Sequence, residues 1–169
     1  MTSECLQLET RIQMVNARRM VIREATAADL SRVRALEVNW QNEGVTLGFQ
    51  AASESDLLAL VDECFFVAEY AGMIVAFVAG RIKTEDGTNG AVVPITQRYL
   101  ELEDLYVLPQ HRSTGIGGAL VQAAVDWAKS KNVRYSLVYS STKDTERILA
   151  FYRSCGFQSW FVRLFRELT

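Results

Sequence analysis

The sequence predicts a single-domain α/β fold of the α+β kind, in which helices flank one β-sheet. The chain has 169 residues, of which 49% are hydrophobic and only two are proline, so it can bury one sizeable core. From residue 20 onward, segments with the two-residue period of strands alternate with segments of helical period. No internal repeat or linker-like stretch interrupts this order, which favours one domain.

The first third of the chain predicts one strand and two helices. Residues 20–24 form the strand, and Thr26 begins a helix with Asp29 three positions on, as in a capping box. Ser53 caps a second helix that ends near residue 61. The buried face of the first helix is predicted to contain Leu30, Val33, Leu36 and Trp40.

The rest of the chain predicts five more strands and two longer helices. One helix follows Pro109 and the glycine-rich run after it, and the other covers residues 145–154. Residues 84–90 form a polar loop rich in turn residues. The predicted strands are residues 65–70, 73–83, 99–108, 135–140 and 158–165.

Residues 1–19 are predicted to be an N-terminal extension, either an extra helix or a loose arm, and residues 20–169 the folded domain. The extension carries a short amphipathic pattern followed by basic residues. Nothing in it indicates a function.

The run 112–118, Arg-Ser-Thr-Gly-Ile-Gly-Gly, is the most informative motif because it joins a predicted strand to a predicted helix. The first N–H groups of a helix have no partners within it, and the helix dipole favours negative charge there. Glycines let a phosphate approach those amides, and Arg112 adds a guanidinium group suited to phosphate oxygens. The motif therefore predicts a pyrophosphate site.

Two common pyrophosphate sites are excluded by the neighbouring residues. A nucleotide P-loop requires Lys followed by Ser or Thr after its last glycine, and this chain has Gly118 and Ala119 at those positions. A dinucleotide fingerprint requires a small residue at Leu120 and an acidic residue about 20 positions later. Arg134 and Tyr135 occupy that later region.

Three carboxylates, Glu101, Glu103 and Asp104, interrupt the predicted central strand. Burying an unpaired carboxylate is costly, so at least some of them must face a cleft, water or a cation. Strand alternation puts Glu101 and Glu103 on one face and Asp104 on the other, unless a bulge changes the register. Ion-pair partners and groups that act on a substrate are both consistent with this pattern.

Three segments together resemble the GCN5-related N-acetyltransferases, over roughly residues 20–169. The first is the Arg/Gln-x-x-Gly-x-Gly run at 112–117, the second is the central strand at 103–109, and the third is the helix at 145–157 with its Phe-Tyr pair and Gly-Phe end. The resemblance implies a mixed, mostly antiparallel sheet of six to seven strands that splays at its central strands. The Glu-Asp pair of the central strand also resembles that of polyamine and diamine acetyltransferases.

By this resemblance, acetyl-CoA is the cosubstrate, and no metal is implied. Ser113 and Thr145 depart from the residues common in the family, which are Gly and Asn. A branched side chain at Gly117 is expected to intrude on the phosphate path. The implied cofactor-binding residues are Leu105, Tyr106, Val107, Arg112, Ser113, Thr114, Gly115, Ile116, Gly117, Gly118 and Thr145.

The implied chemistry requires a base and an acid. An alkyl amine is mostly protonated at neutral pH and cannot attack a thioester until a proton leaves, so Glu103, or Glu101 through a water, is the predicted base. Tyr152 is placed by the resemblance to protonate the departing thiolate. Cys155 has no neighbouring histidine to activate it, and His111 lies beside the phosphate loop, so direct attack is favoured over an acyl-enzyme.

The predicted function is transfer of an acetyl group to the primary amine of a cationic small molecule. The alternatives are a non-catalytic CoA-binding or regulatory module, and a protein N-terminal or lysine acetyltransferase. With 18 basic and 20 acidic residues the chain lacks a nucleic-acid footprint, and it has no apolar run of membrane-spanning length. Its three separated cysteines are typical of a cytoplasmic protein, and the family resemblance also implies a homodimer.

Overall fold

The computed structural model describes residues 20–90, 92–160 and 166. A short 3-10 turn at Ala27–Asp29 precedes the first helix, and another at Pro109–His111 follows the fourth strand. The strands and helices are, in chain order, β1 (Met20–Glu24), α1 (Leu30–Glu43), α2 (Glu54–Leu58), β2 (Cys64–Tyr70), β3 (Met73–Thr84), β4 (Arg98–Val107), α3 (Ile116–Ser130), β5 (Tyr135–Val138) and α4 (Thr145–Ser154).

The strands form one sheet in the order β1-β2-β3-β4-β5. The first three pairings are antiparallel, whereas β5 runs parallel to β4, which confirms the predicted mixed, mostly antiparallel sheet. The described residues supply five strands instead of the six to seven predicted. The predicted last strand, 158–165, extends over 161–165, which lie outside the described residues, as does the N-terminal extension 1–19.

The sheet splays at its centre. Strand β5 pairs with β4 only from Tyr99, opposite Tyr135, to Leu102, opposite Val138. Beyond Leu102, the edge of β4 that faces away from β3 has no strand partner among the described residues. Within residues 103–107, this opening leaves the backbone groups that point away from β3 without a strand partner.

Apolar clusters on both faces of the sheet fix the position of β4. On one face, Leu120 and Ala124 of α3 belong to a buried cluster with Leu100 of β4. On the other face, Val33 of α1 is buried in a cluster with Tyr106 of β4. Because full burial of one such aliphatic side chain contributes about 1.5–3 kcal/mol, the two clusters hold the central strand firmly from both sides.

Candidate active site

A β-bulge in β4 determines where its three carboxylates point. Ala79 of β3 lies opposite Asp104, and Gly80 lies opposite Leu102, so Glu103 is the extra residue. A Cβ atom at Gly80 would overlap the backbone carbonyl oxygen of Glu101, so glycine permits this close approach.

The bulge overturns the simple alternation expected of the strand. Glu101 lies opposite Arg81, and Asp104 lies opposite Ala79, two residues earlier on the same face of β3. Glu101 and Asp104 therefore share the sheet face covered by α1, instead of lying on opposite faces. All three acids converge there, because Glu103 also contacts cations of that face.

Glu101 and Glu103 are held by two basic residues of β3. Lys83 Nζ lies 2.6 Å from Glu101 Oε1 and 3.2 Å from Glu103 Oε1. Arg81 Nη1 lies 2.5 Å from Glu103 Oε2. The hydrogen bond to Glu101 raises the pKa of Lys83, so this cation stays charged beside the carboxylates. An incoming ammonium group must compete with both cations for Glu103.

Asp104 lacks such a cation. No described residue donates a hydrogen bond to its side chain, and it is half-buried beside α1. Burial, and then the charge of Glu103, raise the pKa of Asp104 to about 6. Its carboxylate therefore changes protonation near neutral pH.

Glu37 of α1 is a site residue that the sequence reasoning missed. Its side chain is 1% exposed, and Oε2 accepts a hydrogen bond of 2.6 Å from the backbone N–H of Ala52. Burial and, less strongly, the charge of Asp104 raise the pKa of Glu37 to about 7, although the hydrogen bond from the Ala52 N–H acts in the opposite direction. The available signal was an acidic residue on the otherwise apolar face of α1, which contains Val33 and Leu36.

Tyr152 of α4 is packed between two rings and approaches the same acids. Its ring makes edge contacts with Phe151 at 5.0 Å and with Phe157 at 5.6 Å between centroids. Burial, then the neighbouring Cys155 and Asp104, raise the pKa of its hydroxyl. Tyr152 therefore keeps its proton across physiological pH and can donate it.

The open edge of β4 offers backbone groups close to these side chains. The N–H of Leu108 donates to the carbonyl of Val75, and antiparallel pairing then alternates along the strand. The backbone groups of Leu105 and Val107 consequently point away from β3, whereas those of Tyr106 point toward it. Of the three predicted backbone contacts, the geometry supports Leu105 and Val107 better than Tyr106.

The glycine-rich loop ends in an uncapped helix start. Gly115 is the N-cap of α3 with a φ of 87°, and no side chain caps this helix. Ser113 has a φ of 61°, a left-handed conformation that costs a non-glycine residue about 1–2 kcal/mol. Thr114 Oγ1 donates to the carbonyl of His111 and so braces the loop instead of the helix. The first-turn amides, including that of Ile116, remain available to an anion.

Arg112 points inward in this structure. Its Nη2 lies 2.8 Å from Glu43 Oε1, and its Nε donates to the carbonyl of Val107 at 2.9 Å. The guanidinium also lies 5.5 Å from the centre of the Tyr106 ring. Arg112 therefore anchors the loop to α1 and β4, and a direct phosphate contact by its side chain stays a prediction.

The glycines of the α3 start differ in what surrounds them. A Cβ atom at Gly117 would lie 3.2 Å from the Phe151 ring and 3.7 Å from Val107, whereas one at Gly118 would meet no atom within 4 Å. A branched side chain at Gly117 would thus first displace Phe151, contrary to the expectation of an open phosphate path there. Gly118 faces open space.

Thr145 is the first residue of α4 and is exposed. The helix is capped one residue earlier by Asp144, whose side chain accepts from the N–H of Arg147 at 3.1 Å. The Thr145 side chain does not cap the helix, so it is available for the cofactor contact that the sequence implies.

An aromatic wall, comprising Trp40, Phe49 and Tyr106, borders the site on the α1 side. Trp40 stacks on Phe49 at 4.0 Å and on Tyr106 at 5.6 Å between centroids. The aromatic wall could not be predicted from the sequence, because its members come from three separate segments.

The loop after α1 is also joined to the segment after β5, by a β-bridge between Thr46 and Thr142.

Within the described ranges, no group of three or more His, Cys, Asp or Glu residues could hold a metal ion. The helices among those residues are all too short or too polar to cross a bilayer.

Residues 26–157 match the sequence model of the acetyltransferase (GNAT) family. The chain is similar to a mycothiol acetyltransferase of Thermobispora bispora, with 32% identity over 98 residues that cover 58% of this chain and 31% of that protein. It is also similar to N-acetyltransferase family 8 member 3 of Rattus norvegicus, with 34% identity over 96 residues that cover 56% of this chain and 38% of that protein. The match therefore spans well under half the length of these relatives.

The fold is similar to that of the aminoglycoside N-acetyltransferase AAC(6')-Iy in complex with CoA. The TM-score is 0.69 at 22% identity, and the alignment covers 88% of this chain and 95% of that one. The opening of the sheet beside β4 and the uncapped glycine-rich start of α3 are consistent with the family match over residues 26–157. The chain belongs to the acetyltransferase (GNAT) family.

Proposed function

We propose that this protein is an acetyl-CoA-dependent N-acetyltransferase that acetylates the primary amine of a cationic small molecule by direct attack. The observation that carries the proposal is that three features lie together: the open edge of β4, the free first-turn amides of α3, and Tyr152, which packs in the same cluster as Leu105 and Ile116. Acetyl-CoA supplies the activated acetyl thioester. The amides would hold its pyrophosphate, and the β4 edge would hold its extended arm.

Charge supports a cationic acceptor. On the face covered by α1, the carboxylates of β4 and Glu37 outnumber the two basic residues of β3. Glu85 does not add to them, because it is 2% exposed and its Oε1 accepts the backbone N–H groups of Gly87 and Asn89 within its own loop. Asp86 is likewise bound within this loop, because the Thr88 hydroxyl donates to it at 2.7 Å. A cation would therefore be attracted to this cleft.

The direct test measures release of free CoA thiol with a panel of acceptors. The panel contains diamines, an aminoglycoside, a lysine peptide and a peptide with a free N-terminus. We expect the highest kcat/KM with a small polycationic amine. Faster release with either peptide would favour a protein acetyltransferase, and binding of acetyl-CoA without release on any amine would favour the regulatory module.

Acetyl-CoA is expected to stabilise the folded protein, because preformed amides and an open strand edge bind it only in the native state. At a concentration of about 100 times its dissociation constant, the free energy of unfolding should rise by about 2.7 kcal/mol. Thermal melts with and without acetyl-CoA measure this. An absent shift at millimolar acetyl-CoA, or an equal shift with ATP or NAD, would contradict the cofactor assignment.

Gly118→Ala is expected to weaken acetyl-CoA binding by tenfold or more while the fold gains up to about 1 kcal/mol from better helix propensity. The new methyl group meets no protein atom within 4 Å, so a loss of affinity would mean that the methyl group obstructs the bound acetyl-CoA directly. Gly117→Ala is the matched control, because its methyl group presses on Phe151 and should lower stability. Calorimetric titration and urea unfolding measure both effects. Unchanged affinity in Gly118→Ala would place the phosphate elsewhere.

A further inference from the structure

We propose that Asp104 binds the acceptor's ammonium group and takes its proton, and that Glu37 is the positioning residue behind it. This inference rests on the proposed function and changes the residue expected to act as base. Glu103, the base expected from the sequence, already binds Arg81 and Lys83. Glu101 is likewise bound to Lys83.

Asp104 lies on the face of the sheet that α1 covers, close to Glu37 and Tyr152. The bulge turns its side chain to the face covered by α1, opposite Ala79, a residue without a polar side chain. Its charge acts on Glu37 of α1 and on Tyr152 of α4, so it lies within electrostatic reach of both. Asp104 also lies on the part of β4 that has no partner in β5.

Glu37 is a buried acid of α1 that has no ion-pair partner among the described residues. The residue as a whole is 1% exposed, the Ala52 N–H donates to Oε2, and no described residue hydrogen-bonds to Oε1. Its charge is only partly offset by Arg34, with which it makes no ion pair. A buried carboxylate next to a second carboxylate is costly unless a cation joins them. An acceptor ammonium would supply that missing positive charge.

The proton balance is complete with these groups. The ammonium nitrogen gives one proton to Asp104, and its freed lone pair then bonds to the acetyl carbon as the bond from that carbon to sulfur breaks. Tyr152 gives its proton to the sulfur. The nitrogen loses its second proton as the amide forms, which restores Tyr152 through solvent, and Asp104 returns its proton to water.

The protonation equilibria support this order. The pKa of about 6 at Asp104 makes it ionised yet basic near neutral pH. The charge of Asp104 raises the pKa of Glu37, so Glu37 ionises later as the pH rises. Charged and titratable groups facing this pair come from every neighbouring element, and they are Arg81 on β3, Glu103 on β4, Arg34 on α1, Asp56 on α2 and Tyr152 on α4.

The experiment compares Asp104→Asn with Glu103→Gln as the matched variant, using the best amine of the panel. At pH 7, Asp104→Asn should lower kcat/KM by 100-fold or more and leave acetyl-CoA affinity within twofold, and Glu103→Gln should lower kcat/KM by less than fivefold. The loss in Asp104→Asn should shrink as the pH approaches the amine's own pKa. A larger loss in Glu103→Gln than in Asp104→Asn would overturn the assignment.

Glu37→Gln tests the positioning role through its pH dependence. The glutamine keeps an acceptor for the Ala52 N–H but cannot ionise, so KM for the amine should equal the wild-type value at pH 6 and exceed it severalfold at pH 8.5. A KM ratio that does not change with pH would overturn this role.

Folding and the proposed function are checked separately. Asp104→Asn removes a half-buried charge to which no described cation is hydrogen-bonded, so its melting temperature at pH 8 should equal or exceed that of the wild type, and Asp104→Ala provides a second variant if it does not fold. Wild-type protein that releases no thiol with any amine would overturn the proposed function and this inference together. An active wild type with an unimpaired Asp104→Asn variant would overturn the inference alone.

Discussion

Replacing Tyr152 with phenylalanine is expected to lower kcat by about 100- to 10,000-fold, the range that a positioned general acid contributes. The change deletes one hydroxyl and keeps the ring that packs between Phe151 and Phe157. Acetyl-CoA affinity and thermal stability should therefore stay close to the wild-type values. Steady-state kinetics of thiol release and calorimetric titration of acetyl-CoA measure the two effects on the same preparation.

The sign of the pKa shift sharpens this expectation. Burial raises the pKa of Tyr152, so its hydroxyl remains a donor throughout the working pH range, and no alkaline loss of kcat below pH 9 should arise from its ionisation. Tyr135→Phe is the matched control, because Tyr135 lies at the paired end of β5, away from the open edge of β4. A loss smaller than about threefold in Tyr152→Phe would mean that thiolate departure needs no acid from this residue.

Local features of the site were predictable because short-range physics determines them. The glycine-rich run after a strand predicts a helix start with free amides, and the structure places the N-cap of α3 at Gly115. The alternation of the central segment predicts β4 to within about a residue at each end, since Arg98–Val107 replaces the expected 99–108. The order of strands and helices follows from periodicity in the same way.

Pairings between distant segments were not predictable. The interaction of Arg112 with Glu43 joins residues 69 positions apart, and a single sequence carries no signal for it. The ion pairs of Lys83 and Arg81 depend on the register between β3 and β4, which the bulge at Glu103 shifts. Once that register is known, the convergence of the three carboxylates follows directly.

The chemistry of the acids depends on the same long-range packing. From the sequence, Glu103, or Glu101 through a water, is the predicted base, and strand alternation puts Asp104 on the opposite face. Cations from β3 and the buried face of α1 make Glu103 and Asp104 different: Glu103 is paired, whereas Asp104 is desolvated beside Glu37. Environment, and not residue type, separates a base from an ion-pair partner.

Gly80→Ala is the second prediction with a large expected effect. A methyl group there would overlap the Glu101 carbonyl oxygen, which is backbone and cannot turn away, so β4 must shift. Overpacking of this kind costs about 1–3 kcal/mol, measured as the loss in the free energy of unfolding by urea.

Activity should fall further than stability in Gly80→Ala, because relaxing the bulge moves Asp104 relative to Glu101 and Tyr152. At a temperature where the variant is still fully folded, kcat/KM for the best amine should drop by at least tenfold. Gly90→Ala is the control, since its methyl group makes only an ordinary contact of 3.6 Å with the Gly87 carbonyl. If Gly80→Ala unfolds and turns over like Gly90→Ala, the bulge does not position the carboxylates, and both the proton path through Asp104 and its coupling to Glu37 lose their structural basis.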